Sequence, residues 1–394
     1  MKILMFGKHY PPSTGGIETA TAIMARGLAQ RGHEVFVEVA HERFAPTLSE
    51  TEGGVRIHRC ATWGRLFRQP LARWKTSVMP DAEHLILHTP NPMAAICARR
   101  WQGEMTIFLH AELQGWKGWI ESRVLDSLIA RPQFRSEPKA NLSDSDSSRR
   151  VRIVVTSAWL AERIRSRFPQ IPIEVIPLPV DPSWHFIGQH STPRKKLRQL
   201  VSWGRLVDYK GFDLQIRAVA QVPELQLSII GEGPLSAKLT KLAAKLAPGR
   251  IQIVGPKSMG EIQQIAQQSD LGLFTPRDER ETYGIALLEA MSMGLPTLTT
   301  PSPTGFGHLQ RHGSWVVESV SVEAINRGLL ELRRDPRWLN GSARRALSFA
   351  AELTETNFIN QWMKLLNAPD LRPKSKRPTA MFTRPRDSGL HPEA

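Results

Sequence analysis

Residues 2–39 read KILMFGKHYPPSTGGIETATAIMARGLAQRGHEVFVEV, and this stretch decides the fold. The apolar run at 2–6 is too short for a helix and reads as a buried strand. A loop rich in proline and glycine follows at 7–16. From 17 to 31 the spacing becomes helical, with Ile17, Ala20, Ile23, Met24, Gly27 and Leu28 on one stripe. Gly32 stops the helix, and a second apolar run begins at 35–39. A strand, a crossover helix and a second strand build a parallel sheet. Further short runs at 85–87, 105–109 and 153–156 extend it. The first half of the chain is therefore expected to be a doubly wound α/β domain.

The same rhythm restarts near Leu200. Strands are expected at 200–203, 225–230, 251–254, 271–274 and 296–299. Helices are expected at 212–220, up to 246, and at 259–268 and 285–293. Three more helical patterns follow at 321–333, 342–352 and 357–366. At about 150 residues per domain, 394 residues imply two domains. Their expected limits are 1–180 and 195–352, with a helix at 353–368. A basic tail at 369–394, rich in proline, is expected to be disordered.

Hydrophobic residues make up 41% of the chain, which fills two cores and excludes a disordered or fibrous protein. Fifty-two Lys and Arg against 37 Asp and Glu leave a net charge of +15, which favours anionic partners. The two cysteines, Cys60 and Cys97, give no disulfide framework and no structural zinc site, and they suit a reducing compartment. No apolar run reaches 18 residues, so no transmembrane helix is expected. The first apolar run is also too short for a signal peptide. The expected location is the cytoplasm, peripheral at the cytoplasmic membrane face.

The chemistry concentrates in residues 281–294, ETYGIALLEAMSMG, which follow a strand and open a helix. Glu289 is the only charge between Ile285 and Leu298. A carboxylate buried without a partner costs several kcal/mol, so a hydrogen-bond donor must meet it. Gly284 precedes the helix, where free backbone N–H groups form an anion site. Glu281 lies in the loop before it and faces the same cleft.

This segment resembles the E-x7-E motif of glycosyltransferase family 4, retaining enzymes with the two-domain GT-B fold. The resemblance spans roughly residues 1–365. Gly15-Gly16-Ile17-Glu18 is similar to the family's first-loop glycine pair. Gly204-Arg205-Leu206-Val207-Asp208-Tyr209-Lys210-Gly211 is similar to its GRL…KG segment, and Ile230-Gly231-Glu232-Gly233-Pro234 to its next turn. The resemblance implies an α/β GT-B protein whose C-terminal helix returns to the first domain. It also implies transfer of a hexosyl unit from a UDP- or GDP-linked sugar, with retained anomeric configuration and with no metal or other cofactor.

The implied roles follow residue by residue. Glu289 holds ribose hydroxyls, and Glu281 holds the donor sugar. Arg205 and Lys210 hold the diphosphate, with Gly15, Gly16 and the amides of Gly284, Ile285 and Ala286 completing the cradle. His110, at the end of the run 105–109, sits where the family places a histidine near the donor sugar. Glu112 either touches acceptor or caps a turn. Two departures, Leu178-Pro179 for the usual Asn-Gly and the 301–308 loop PSPTGFGH, leave sugar preference and hinge geometry open.

Residues 54–80 carry Arg56, Arg59, Arg65, Arg68, Arg73 and Lys75 with no acidic residue among them. Trp63, Leu66, Phe67, Leu71 and Trp74 are interleaved. Such a patch suits an anionic membrane surface and a lipid-linked or polysaccharide acceptor, as in surface polysaccharide or lipopolysaccharide synthesis. The plainer alternative is a solvated face over a small core helix. No nucleic-acid motif occurs, so no nucleic-acid partner is expected. Residues 131–150 form a polar insert. Its Asp144-Ser145-Asp146 resembles a metal-binding DxD motif but reads as a solvated loop. A sugar-nucleotide epimerase of the same fold, or a basic adaptor without activity, remains the alternative function.

Overall fold

The computed structural model describes residues 1–12, 15–43, 48–66, 69–72, 81–88, 98, 101, 103–110, 123, 125–126, 151–184, 196–335 and 337–367. Glu112, the 131–150 insert, the 369–394 tail and residues 67, 68 and 73–75 lie outside them.

The first sheet holds β1 (Lys2–Phe6), β2 (Glu34–Arg43), β3 (Leu48–Glu52), β4 (Val55–Leu66), β5 (Gln69–Ala72), β6 (His84–His88), β7 (Glu104–Leu109), β8 (Val151–Val155) and β9 (Ile173–Val175). Their order is β3-β4-β2-β1-β6-β7-β8-β9, with β5 paired to β4. All pairings are parallel except those of β3 and β5 with β4. The strand order reverses beside β1, so the crevice of this domain opens at the carboxyl ends of β1 and β6. Helix α1 (Gly16–Gln30) covers one face through Ile23, Met24 and Leu28. Helix α2 (Ala158–Arg167) packs its Leu160, Ala161 and Ile164 with the opposite cluster, and Ser157 caps it by accepting from Leu160 N at 3.3 Å.

The second sheet holds β10 (Gln199–Trp203), β11 (Gln226–Ile230), β12 (Ile251–Gly255), β13 (Leu271–Phe274), β14 (Thr297–Thr299) and β15 (Ser314–Val316). They are parallel throughout, in the order β12-β11-β10-β13-β14-β15. This is the doubly wound order, with its switch point between β10 and β13. The connecting helices are α3 (Phe212–Ala220), α4 (Ser236–Leu246), α5 (Met259–Gln267), α6 (Ile285–Ser292), α7 (Gly305–Gln310) and α8 (Val322–Arg334). Helices α9 (Arg337–Ala350) and α10 (Glu355–Leu366) end the described chain.

Helix α10 crosses back to the first domain. Trp362 is fully buried and meets the Phe108 ring edge-on at 5.1 Å. Gly27 of α1 leaves room for it: a Cβ there would lie 2.4 Å from Ile359. Arg152 Nη1 donates to Leu365 O at 2.6 Å, and Val180 N donates to Leu353 O at 2.8 Å. One apolar cluster runs from the first sheet through Val180 and Trp184 to Leu287 and Met291 of α6.

The described part of the 54–80 segment is a strand pair, not the small core helix of the plainer alternative. Val55 and Ile57 are buried while Arg56 between them is exposed, the period-2 alternation of a strand rather than a helix. Two of its arginines, Arg56 and Arg59, are engaged within the sheet. Arg56 pairs with Glu34 across to β2. Arg59 is 7% exposed and donates to Glu50 Oε1 at 2.7 Å and to the carbonyls of Tyr10 and Pro11. Arg59 thus fixes the loop after β1 instead of meeting an external anion.

Trp362→Ala is expected to lower stability by about 3–5 kcal/mol, the range for emptying a buried tryptophan site. Urea denaturation followed by circular dichroism checks it; a loss under about 1 kcal/mol means that α10 is not part of the first core.

Candidate active site

The carboxyl ends of β10 and β13 meet the amino end of α6. Trp203, the last residue of β10, turns its indole under α6 and donates from Nε1 to Glu289 Oε2 at 2.7 Å. Trp184, in the linker turn Pro182–Trp184, stacks on Trp203 at 6.1 Å with the rings nearly parallel. Phe274 meets Trp203 edge-on at 5.0 Å. Glu289 therefore sits on an aromatic shelf. Burial pushes its pKa up to about 7, against the opposing pull of the Trp203 hydrogen bond and the Lys210 charge.

Glu281 is 8% exposed in the loop before α6 and forms an ion pair with Lys210 Nζ. Lys210 closes the short turn Asp208–Lys210 that follows β10. Burial by itself lowers the Lys210 pKa, but Glu281, Tyr209 and Glu289 outweigh it and hold the ammonium above its ordinary value. Backbone bonds fix both arms: Arg277 N donates to Tyr209 O at 2.8 Å, and Thr304 Oγ1 donates to Glu281 O at 2.7 Å.

Gly284 caps α6 in the left-handed region (φ 89°), where other residues are strained, and a Cβ there would lie 2.4 Å from Phe306. No side chain caps α6, so the first-turn amides of Ile285 and Ala286 are left for a ligand. Gly16 of the first domain closes on the same turn: a Cβ there would lie 2.7 Å from Ile285 Cγ1. Gly15, one residue earlier, is the N-cap of α1. Ser202, Trp203, Lys210, Glu281, Gly284 and Ala286 line one small recess, partly open to solvent.

The structure thus gathers Glu281, Glu289, Lys210, Gly284, Ile285, Ala286 and Gly16. Arg205 is exposed and makes no ion pair with a described residue. Lys210, by contrast, is half-buried and already paired with Glu281.

His110 differs from the expected arrangement. Its ring is 5% exposed and turns into the first domain, 4.1 Å from the Phe108 ring centroid and stacked on His88 at 5.3 Å. Its Nε2 lies 3.2 Å from His88 Nδ1, which in turn lies 3.1 Å from Thr21 Oγ1. Burial lowers its pKa to about 3, so the imidazole is neutral near pH 7. The backbone of His110, not its ring, meets the second domain: Thr282 Oγ1 donates to His110 O at 3.1 Å. Sequence reasoning missed His88, although it ends an apolar run in the same way as His110. It also missed Trp203, whose partner is 86 residues away in the chain.

Two family models match successive parts of the chain: Glycosyltransferase Family 4 over residues 14–184, and Glycosyl transferases group 1 over residues 186–352. The chain belongs to glycosyltransferase family 4. It is a glycosyltransferase of the GT-B type. This family 4 chain is 26% identical over 324 residues to the GDP-mannose-dependent alpha-(1-6)-phosphatidylinositol dimannoside mannosyltransferase of Mycobacterium tuberculosis, covering 76% of this chain and 79% of that one. It is 29% identical over 372 residues to the GDP-mannose-dependent monoacylated alpha-(1-6)-phosphatidylinositol monomannoside mannosyltransferase of Corynebacterium glutamicum, covering 88% and 92%. Sucrose-phosphate synthase from Thermosynechococcus elongatus shares the fold with a TM-score of 0.72 at 14% identity, over 93% of this chain and 98% of that one.

Glu289 generates a pH prediction. Its folded pKa of about 7 lies above the ordinary 4.5, so between these values the folded chain keeps a proton that the unfolded chain releases. Its contribution to stability therefore falls as pH rises from about 4.5 through about 7. Denaturant midpoints at pH 5 and pH 8 are expected to show a smaller alkaline loss in Glu289→Gln than in wild type. Equal losses remove the assignment.

Proposed function

We propose that this glycosyltransferase moves a hexosyl unit from a nucleoside-diphosphate sugar to a lipid-linked or polysaccharide acceptor, with retained anomeric configuration and no metal. The observation that carries the reading is the convergence of Lys210 and Glu281 with the uncapped amino end of α6 in one recess, next to Glu289, which is held by the lining residue Trp203. Glu289 accepts hydrogen bonds from ribose hydroxyls, and Glu281 holds the sugar. The departing diphosphate gains negative charge as the glycosidic bond breaks. Lys210 and the α6 amides stabilise that charge from fixed positions, the kind of electrostatics that supplies most of such catalysis, and Arg205 joins them from the exposed loop after β10. The acceptor hydroxyl attacks from the face that the diphosphate leaves, and a diphosphate oxygen takes its proton. GDP-mannose is the favoured donor and a phosphoinositol-type glycolipid the favoured acceptor, because both mannosyltransferase relatives are named for them.

Among the described residues no helix is long and apolar enough to cross a membrane. Attachment to an anionic membrane face is proposed through Arg65, Arg68, Arg73 and Lys75, which stand among aromatic residues in the sequence, with Arg56 and Arg59 engaged in the sheet.

Two experiments test this reading. With GDP-mannose and a phosphatidylinositol glycolipid, Arg205→Ala is expected to lower turnover roughly 10²–10³-fold, the usual cost of removing a charge-stabilising group, while melting stays near wild type. Proton NMR of the product is expected to show the donor's anomeric configuration, and added Mg²⁺ is expected to leave the rate unchanged. An inverted product or unimpaired Arg205→Ala turnover defeats the mechanism. In the second, wild-type protein is expected to sediment with anionic but not neutral vesicles. Salt and the triple change of Arg65, Arg68 and Arg73 to Glu are expected to weaken this binding, at about 1 kcal/mol per basic side chain. Binding to duplex DNA in place of anionic vesicles sinks the membrane reading.

A further inference from the structure

A second cluster lies on the first sheet, away from the recess. Glu38 on β2 and His58 on β4 are register partners, and Cys60 follows His58 two positions on, hence on the same face. Cys60 Sγ lies 2.9 Å from Glu38 Oε1 and 3.6 Å from His58 Nδ1, and His58 Nδ1 lies 3.7 Å from Glu38 Oε1. Three donor atoms of three chemical types therefore face one point.

We propose that Glu38, His58 and Cys60 form a binding site for a single divalent ion of the zinc class. A tetrahedral ion with bonds of about 2.0–2.3 Å sets its ligand atoms roughly 3.3–3.6 Å apart; the two separations from His58 Nδ1, 3.6 and 3.7 Å, match this, while Cys60 Sγ and Glu38 Oε1, at 2.9 Å, must move apart to admit the ion. Carboxylate, neutral imidazole and thiolate are the ligand types that such an ion takes, and oxygen-only ions such as Mg²⁺ are disfavoured by the sulfur. The charges also balance. Glu38 is fully buried and Cys60 nearly so. A carboxylate and a thiolate there carry two negative charges that a dication neutralises. Binding releases the thiol proton, so affinity falls as pH falls.

The position gives the site a purpose. Glu38 is the register partner of Phe6, the last residue of β1, and Glu38 O accepts from Gly7 N at 3.1 Å. On the other face of β4, Arg59 holds the carbonyls of Tyr10 and Pro11. An ion at the three ligands fastens β4 to β2 beneath the start of the loop that carries Gly15 and Gly16. The cysteine count hid this site, because one thiol suffices when the other ligands are His and Glu.

The test uses full-length protein, first stripped of metal and then titrated with Co²⁺. One ion per chain is expected, with a thiolate-to-cobalt charge-transfer band in the near ultraviolet. The band is expected to persist in Cys97→Ser and to vanish in Cys60→Ser. Affinity is expected to weaken by about tenfold or more in Glu38→Gln and His58→Asn. Zn²⁺ is expected to raise the melting temperature of wild type but not of Cys60→Ser. Folded wild type that shows no band, or a band that survives in Cys60→Ser or disappears in Cys97→Ser, overturns the proposal. Such results leave the three side chains as a hydrogen-bonded cluster only.

Discussion

The ion pair between Lys210 and Glu281 governs how the recess is built. Each charge is mostly removed from water, and each is tolerable there because the other is present. Removing one partner of such a pair leaves the other uncompensated, at a cost of about 3–5 kcal/mol. The turn after β10 and the loop before α6 are therefore fixed relative to one another by electrostatics as well as by backbone bonds. In the proposed reaction a diphosphate would offer Lys210 a second anion and so free the Glu281 carboxylate for sugar hydroxyls.

The segment from Glu281 to Glu289 also joins the two domains. Thr282 Oγ1 donates to His110 O, Tyr283 Oη donates to Leu178 O at 3.2 Å, and Ile285 abuts Gly16. Nine consecutive residues supply two acidic groups, an uncapped helix start and three contacts to the opposite domain. Geometry at the recess and the relation between the domains are thus not independent variables. The Leu178-Pro179 departure fits this arrangement, because Tyr283 needs only the Leu178 carbonyl, which any residue offers.

The strands that line the cleft were legible because buried parallel strands are continuous apolar runs, as at 2–6, 85–87 and 271–274. The edge of the first sheet was not, because Val55–Leu66 alternates arginine and histidine with apolar residues and resembles a basic surface. Helix α2 was missed because its second half, ERIRSR, has Ile164 as its one apolar residue and its first apolar residues follow closely on the preceding strand segment. At the site, Glu281, Glu289 and Gly284 stood out by their isolation in an apolar run, and that isolation had a physical cause. The direction of the His110 ring was not legible, since a strand end fixes where a residue sits but not which way its side chain turns. The partner of Glu289 was equally hidden, because Trp203 meets it only once two strands and a helix have assembled.

The return of α10 to the first domain has a consequence for synthesis. The first sheet is completed by residues near 175, yet Trp362 fills the space beside Phe108 and Ile359 fills the notch at Gly27. While a ribosome is still making the second domain, that apolar surface has no cover. The first domain must therefore wait for some 180 further residues, and the order in which the chain emerges is not the order in which its domains are finished. A nascent chain in this state exposes the kind of surface that chaperones bind. Any mutation that weakens α10 lengthens that interval without touching the recess.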